Sequence, residues 1–154
     1  MAIIFEGMSK LMVPMEHLAT LPNGVKREAL KRAGEVVARA QRQKLRSKID
    51  EYAPMPYRNG KPRAAIRTGQ LAASIKPGKI KMTQNEASIE IKPTGSRTRG
   101  GTTYDNAEIA HYVEFGARGI PARPFVREAN EECDEMAVDA AASAYFEWLD
   151  TIGF

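Results

Sequence analysis

Few residues in this chain have types and spacing that suggest chemistry. His111 and Glu114 stand three apart and would share a helical face, the arrangement of a general base and the carboxylate that orients it. No nucleophile lies near them in sequence, so local hydrogen bonding is the simpler role. Cys133 is the one cysteine, which excludes an internal disulfide, and it falls on an apolar helical stripe where a small core residue is expected. His17 and His111 are too far apart in sequence to give a recognisable zinc spacing. GGTTY at 100–104 lacks both the spacing and the lysine of a phosphate-binding loop. On these residues the chain reads as no enzyme, with no cofactor and no metal site.

Around His111 the sequence HYVEFGARGIPARPF, residues 111–125, reads as a rigid joint between two helices. Gly116 can end the first helix and Gly119 permits a second positive φ. Pro121 stiffens the connection. Pro124 forces Arg123 into extended geometry and itself suits the first position of a helix, with Phe125 pointing into the core. Arg118 and Arg123 are placed either to satisfy Glu114 or the last carbonyls of the first helix, or to stand solvated.

The elements on either side follow from periodicity. Residues 3–5 form a short apolar run ended by Gly7, after which Met8, Leu11, Met12, Met15 and Leu18 recur at helical spacing, interrupted by Pro14, so that a helix there kinks at Pro14 or begins near it. LPNG at 21–24 reads as a turn. From Val25, successive residues placed about 100° apart put Ala29, Leu30, Ala33, Val36, Val37 and Ala40 on one face. Arg27, Lys31, Arg32, Glu35, Arg39, Arg42 and Arg46 make a basic ridge opposite. Lys44 and Lys48 then enter the apolar stripe, which predicts that the helix leaves the body of the domain or frays near Asp50.

Residues 52–67 (YAPMPYRNGKPRAAIR) hold three prolines, an Asn-Gly turn and no periodicity, hence a long mobile loop at about 52–68. Thr68 can cap a short turn through Ser74. Ile80 and Met82 alternate with Lys79 and Lys81, and Ala87, Ile89 and Ile91 alternate with Ser88, Glu90 and Lys92, an antiparallel hairpin with one wet face that Pro93 ends. Residues 93–103 (PTGSRTRGGTT) read as a second mobile basic loop. Asp105 and Glu108 have the offset of a capping box, so a short helix is expected over 106–115, with a strand as the alternative. Beyond the joint, Phe125, Ala129, Cys133, Met136, Ala137, Ala140, Ala144 and Trp148 form one stripe, opposite Arg127, Glu128, Glu131, Asp134, Glu135 and Asp139.

That last helix carries a second stripe of Val138, Ala142, Tyr145, Leu149 and Ile152. One core does not easily cover both sides; either residues 3–5 pack there or a neighbouring subunit does. The fold class is therefore α+β, a small antiparallel sheet packed against a long N-terminal and a long C-terminal amphipathic helix, in a single domain over residues 1–154, since 154 residues at 43% apolar suit one core. No apolar run is long enough to cross a bilayer, so a soluble protein made in the cytoplasm is expected.

Charge is divided sharply. Residues 1–103 hold 20 of the 23 Lys and Arg against 8 of the 19 acids, a balance of +12, whereas residues 104–154 hold 3 and 11, a balance of −8. Oppositely charged helices can solvate a small fold, one end can meet something negative, or subunits can stack basic to acidic. A nucleic-acid-binding module using the basic 26–48 helix is one reading, although the only Trp lies in the acidic region and supplies no stacking platform among the arginines.

The succession IIFEGMSKL, a long amphipathic helix, YAPMP, RTGQLAASI, a hairpin, and AHYVEFGARGIPARPFVREA before a terminal helix resembles the "gene product ten"-like neck and tail-completion proteins of long-tailed double-stranded DNA phages. The resemblance covers nearly the whole chain, and the long insertion between Ala53 and Thr68 departs from it. It implies a structural virion protein without catalytic or cofactor residues, made in the host cytoplasm. It also implies a homo-oligomeric, hexameric ring at the head-tail junction, between a head-closure or connector protein and a tail-tube or tail-terminator protein. In a ring around genomic DNA, Arg58, Lys61, Arg63, Arg67, Arg97 and Arg99 would face the channel or, alternatively, an acidic protein surface.

Overall fold

A computed structural model describes residues 4–6, 10–13, 21–50, 69–83, 86–99, 101–117 and 121–153. The architecture is α+β, as expected: two long antiparallel helices against a small antiparallel sheet. Helix α1 spans Asn23–Asp50. The LPNG segment starts this helix rather than standing apart as a turn, because the Pro22 carbonyl accepts from the N–H groups of Val25 (3.0 Å) and Lys26 (3.2 Å). Leu30, Ala33 and Val37 are buried as the stripe requires, with Ala29, Val36 and Ala40 packed at its margin. Lys26, Ala38, Gln41 and Leu45 are buried as well. The covered arc is wider than the apolar stripe because α1 is wedged between the sheet and the last helix. At Gly34 a β-carbon would stand 3.0 Å from Ile89 Cδ1, so glycine lets the helix press directly on the sheet.

Strand β5, Ala87–Pro93, is the centre of the sheet. On one side it pairs with β2, Lys10–Val13, which in turn pairs with β1, Ile4–Glu6. Its other side is shared by β3, Ile75–Pro77, and β4, Lys81–Met82. Between these two short strands the Gly78 N–H donates to the Glu90 carbonyl at 2.7 Å. A β-carbon there would lie 2.9 Å from that oxygen, so only glycine fits. The β4–β5 hairpin is the one read from the alternation, with Ala87, Ile89 and Ile91 buried and Lys92 exposed; Ser88 is buried too, flanked on both sides by strands.

Two expectations give way here. Leu11 and Met12 lie on strand β2, because the open edge of β5 offers a ladder that outweighs the local helical spacing; Met8, Pro14, Met15 and Leu18 lie outside the described residues. Residues 93–103 form a hairpin instead of a loop, with β6, Ser96–Arg99, against β7, Thr102–Asp105. Gly101 turns it at φ 80°, and the Thr98 and Thr103 hydroxyls meet across it at 3.0 Å. Buried Asn106 closes its base, donating from its backbone to the Gly95 carbonyl and from its side chain to that of Thr94. The loop expected at 52–68 lies outside the described residues.

A short helix α2, Gln70–Ser74, leads into β3 and buries Leu71 and Ala72. Helix α3 spans Asn106–Phe115, and the helical expectation holds over its strand alternative. Asp105 caps it, accepting from the Ala107 N–H at 2.8 Å. The reciprocal arm of the box is not made: Glu108 accepts from the Tyr112 hydroxyl at 2.9 Å, which raises that phenol above its ordinary value. Helix α4 spans Phe125–Thr151 and buries Phe125, Ala129, Cys133, Ala137 and Ala144 along the expected stripe. Met136 leaves that stripe at 57% exposure. No helix among the described residues is long and apolar enough to cross a membrane.

Candidate functional site

The joint between α3 and α4 is built from both helices. Gly116 ends α3 at φ 79°, and its N–H returns to the Tyr112 carbonyl. The Arg123 backbone N–H donates to the Val113 carbonyl at 2.7 Å, so an orphan carbonyl of α3 is satisfied by main chain rather than by a guanidinium. Pro124 stands one position earlier than expected, as the residue flanking α4, and Phe125 is the first helical residue and fully buried. Proline offers no side-chain oxygen to cap the first amides of α4. Glu114 supplies it from α3: its carboxylate, only 5% exposed, accepts from the N–H groups of Val126 at 2.8 Å and Arg127 at 3.1 Å. This role escaped the sequence because the cap comes from another helix twelve residues upstream. The one available sign was a helix start preceded by proline with no Ser, Thr, Asp or Asn beside it. Pro121 is exposed, and Arg118 and Gly119 lie outside the described residues.

With Glu114 so engaged, the His111–Glu114 pair does not assemble. His111 is exposed and its ring lies against Phe115, centroids 4.8 Å apart. Cys133 is fully buried; burial, and then the charge of Asp134, push its thiol up to about 11, far from a reactive thiolate at neutral pH. Among the described residues no group of His, Cys, Asp or Glu is arranged to hold a metal ion.

The basic and acidic halves of the chain meet along the α1–α4 seam. Arg32 grips Glu147 with both terminal nitrogens, at 2.7 and 2.6 Å, and also reaches Ser143 and Glu28. Lys44 pairs with Glu132 and Lys48 with Glu128. Gln41 donates to Asn130 at 2.9 Å in the buried middle. From Arg32–Glu147 at one end to Lys48–Glu128 at the other, the seam pairs the start of α1 with the end of α4, which fixes their antiparallel register. These pairs also correct the expectation that α1 leaves the domain after Gln43: Leu45 is fully buried, and Lys44 and Lys48 enter the stripe because carboxylates of α4 receive them.

Hydrogen bonding to Arg32 holds the Glu147 carboxyl below its ordinary value of 4.5, and Lys48 does the same for Glu128. A carboxylate depressed in the folded state contributes stability that is complete above the unfolded value and is lost as pH falls through the folded one. The seam thus steepens acid destabilisation below pH 4.5, modestly, since Glu147 is 64% exposed and screened. A Glu128→Gln/Glu147→Gln variant should show a flatter stability profile than wild type in that range, read by urea unfolding at a series of pH values. Parallel profiles would mean that the seam adds nothing.

Beyond the seam lies the outer face of α4. Val138, Ala142 and Leu149 are half-buried, whereas Tyr145 is 37%, Ile152 49% and neighbouring Phe146 61% exposed. The Tyr145 ring lies 5.8 Å from Phe146 and 6.0 Å from Trp148, centroid to centroid. Strand β1 pairs with β2 at the edge of the sheet. Of the basic residues proposed for a channel, Arg97 is half-buried on β6 opposite Tyr104, and Arg99 pairs with Thr102. Arg58, Lys61, Arg63 and Arg67 lie outside the described residues.

These features define a small α+β domain whose last helix keeps an aromatic outer face. Residues 23–116, from the first residue of α1 to the glycine that ends α3, match the model of the family described as "Bacteriophage HK97-gp10, putative tail-component". The chain belongs to this family of phage tail components. No curated protein and no solved structure matches the chain. The matched residues stop before α4, which carries the outer face.

Proposed function

We propose that the protein is a structural virion component that assembles into a ring, of six copies, where the tail joins the head. It is made in the host cytoplasm, stacks between a head-closure or connector protein and a tail-tube or terminator protein, and encircles the DNA path. The observation that carries this reading is the outer face of α4 in a chain of the tail-component family: Tyr145, Phe146 and Ile152 stay at 37–61% exposure after the domain has folded. Clustered large apolar side chains left in water mark a surface that another subunit covers. Val138, Ala142 and Leu149 line the same face and join the contact. Arg97, Arg99 and the basic 58–67 segment then face the channel or an acidic neighbour.

Light scattering over a range of protein concentration tests this directly. The wild-type chain should give a discrete oligomer, and Tyr145→Ser/Ile152→Ser should shift it to monomer with unchanged circular dichroism. A wild-type monomer at every concentration would count against the ring. The alternative, a nucleic-acid-binding module on the basic 26–48 helix, draws on Arg27, Lys31, Arg39 and Arg46, which are exposed without an ionic partner among the described residues. It requires duplex affinity that falls steeply with salt.

A further inference from the structure

The α1–α4 seam uses only part of each helix's charge. After Arg32, Lys44 and Lys48 have found their carboxylates, Arg39 and Arg46 remain exposed on α1 with no acidic partner among the described residues. On α4 the same holds for Glu131, Glu135 and Asp139, which follow one another at steps of four. Arg39 to Arg46 covers about 11 Å of helix and Glu131 to Asp139 about 12 Å, at 1.5 Å per residue. Continued along α4, the acidic row runs into the exposed apolar patch of Tyr145 and Phe146. The outer face is thus in two parts, acidic toward the joint and aromatic toward the C-terminus.

From this we infer that the face is covered by the α1 outer ridge of a second copy, with Glu131, Glu135 and Asp139 of one subunit set against Arg39 and Arg46 of the next. This rests on the ring reading and names its contact. Pairing α4 with α4 is disfavoured in both directions. Parallel helices would set carboxylates against carboxylates, and antiparallel ones would press an unpaired acidic row onto aromatic rings. The α1 ridge has the opposite sign and matching length. Made once between each subunit and the next, and not reciprocally between two, this contact is heterologous, the type that generates rings when its rotation closes.

Charge reversal on the full-length chain tests it, with subunit dissociation followed by light scattering and folding checked by thermal unfolding. Arg39→Glu/Arg46→Glu and Glu135→Lys/Asp139→Lys should each raise the dissociation constant about tenfold or more, and the four-residue combination should bring it back to within about threefold of wild type. Wild-type assembly should also weaken as salt is raised. Should a reversal unfold the chain, the Gln substitutions at the same four positions carry the test, with a loss of about threefold. A ring that forms and ignores both reversals overturns this contact alone, as does a four-residue variant no better than its parents. A chain monomeric throughout removes the ring together with it. If Arg39→Glu/Arg46→Glu leaves the ring intact and abolishes salt-sensitive binding of a duplex oligonucleotide, the ridge belongs to nucleic acid and the contact is overturned.

Discussion

Glu114→Ala should lower the unfolding free energy by about 3 kcal/mol, the loss of a cap made of two charge-assisted hydrogen bonds, with the buried Val126 donor left unpaired. The carboxylate is 5% exposed and accepts from two consecutive amides, those of Val126 and Arg127. The Val126 bond is buried, so water does not readily replace it there. No neighbouring side chain substitutes either, since Pro124 flanks the helix without an oxygen to offer. Glu114→Gln keeps one acceptor oxygen and loses the charge that the helix N-terminus favours, so about half the loss is expected. Urea unfolding measures both, and hydrogen exchange localises them: the Val126 and Arg127 amides should lose protection before the α4 midsection does. A loss under about 0.5 kcal/mol for Glu114→Ala would mean that the cap is dispensable. The consequence reaches assembly. Glu128, which anchors Lys48, stands in the same first turn, so fraying there loosens one end of the seam that orients the outer face.

How much of this was legible beforehand depends on how local each determinant is. Helices α1 and α4 could be read because their apolar stripes repeat over many turns, and α3 because Asp105 and Gly116 mark its ends within the segment itself. The β4–β5 hairpin was legible for the same reason, since its alternation needs no distant partner. Leu11 and Met12 show helical spacing in the sequence because only the edge of β5, more than seventy residues later, makes Lys10–Val13 a strand. The β6–β7 hairpin was hidden by a composition rich in Gly, Thr and Arg that also suits loops; its Thr98–Thr103 pairing shows only once the turn at Gly101 is known. Glu114 and Lys44 belong to the same class. Each looked like a surface charge or an intruder in a stripe, and each is explained by a group on another helix. In the candidate site, the stripe of Val138, Ala142, Tyr145, Leu149 and Ile152 is legible from periodicity, whereas Phe146, the most exposed ring on that face, and the cap that holds α4 in place are not.

The second large effect lies one residue from that cap. Phe125 is fully buried and heads the largest enclosed side chains. Phe125→Ala should cost about 3–5 kcal/mol, through lost burial and a cavity that the first turn of α4 cannot close while Glu114 holds its amides. Against a total stability of about 5–15 kcal/mol, that is enough to leave a measurable unfolded fraction at moderate temperature. Phe125→Leu keeps most of the volume and should cost about 1 kcal/mol. The informative measurement is the cycle with Glu114→Ala. If cap and ring fix the same turn, removing one lets the turn relax around the loss of the other, and the double variant should fall about 1 kcal/mol short of the sum. Strict additivity would show that packing and capping act separately, and the joint would then be two features side by side rather than one coupled unit that sets the direction of α4.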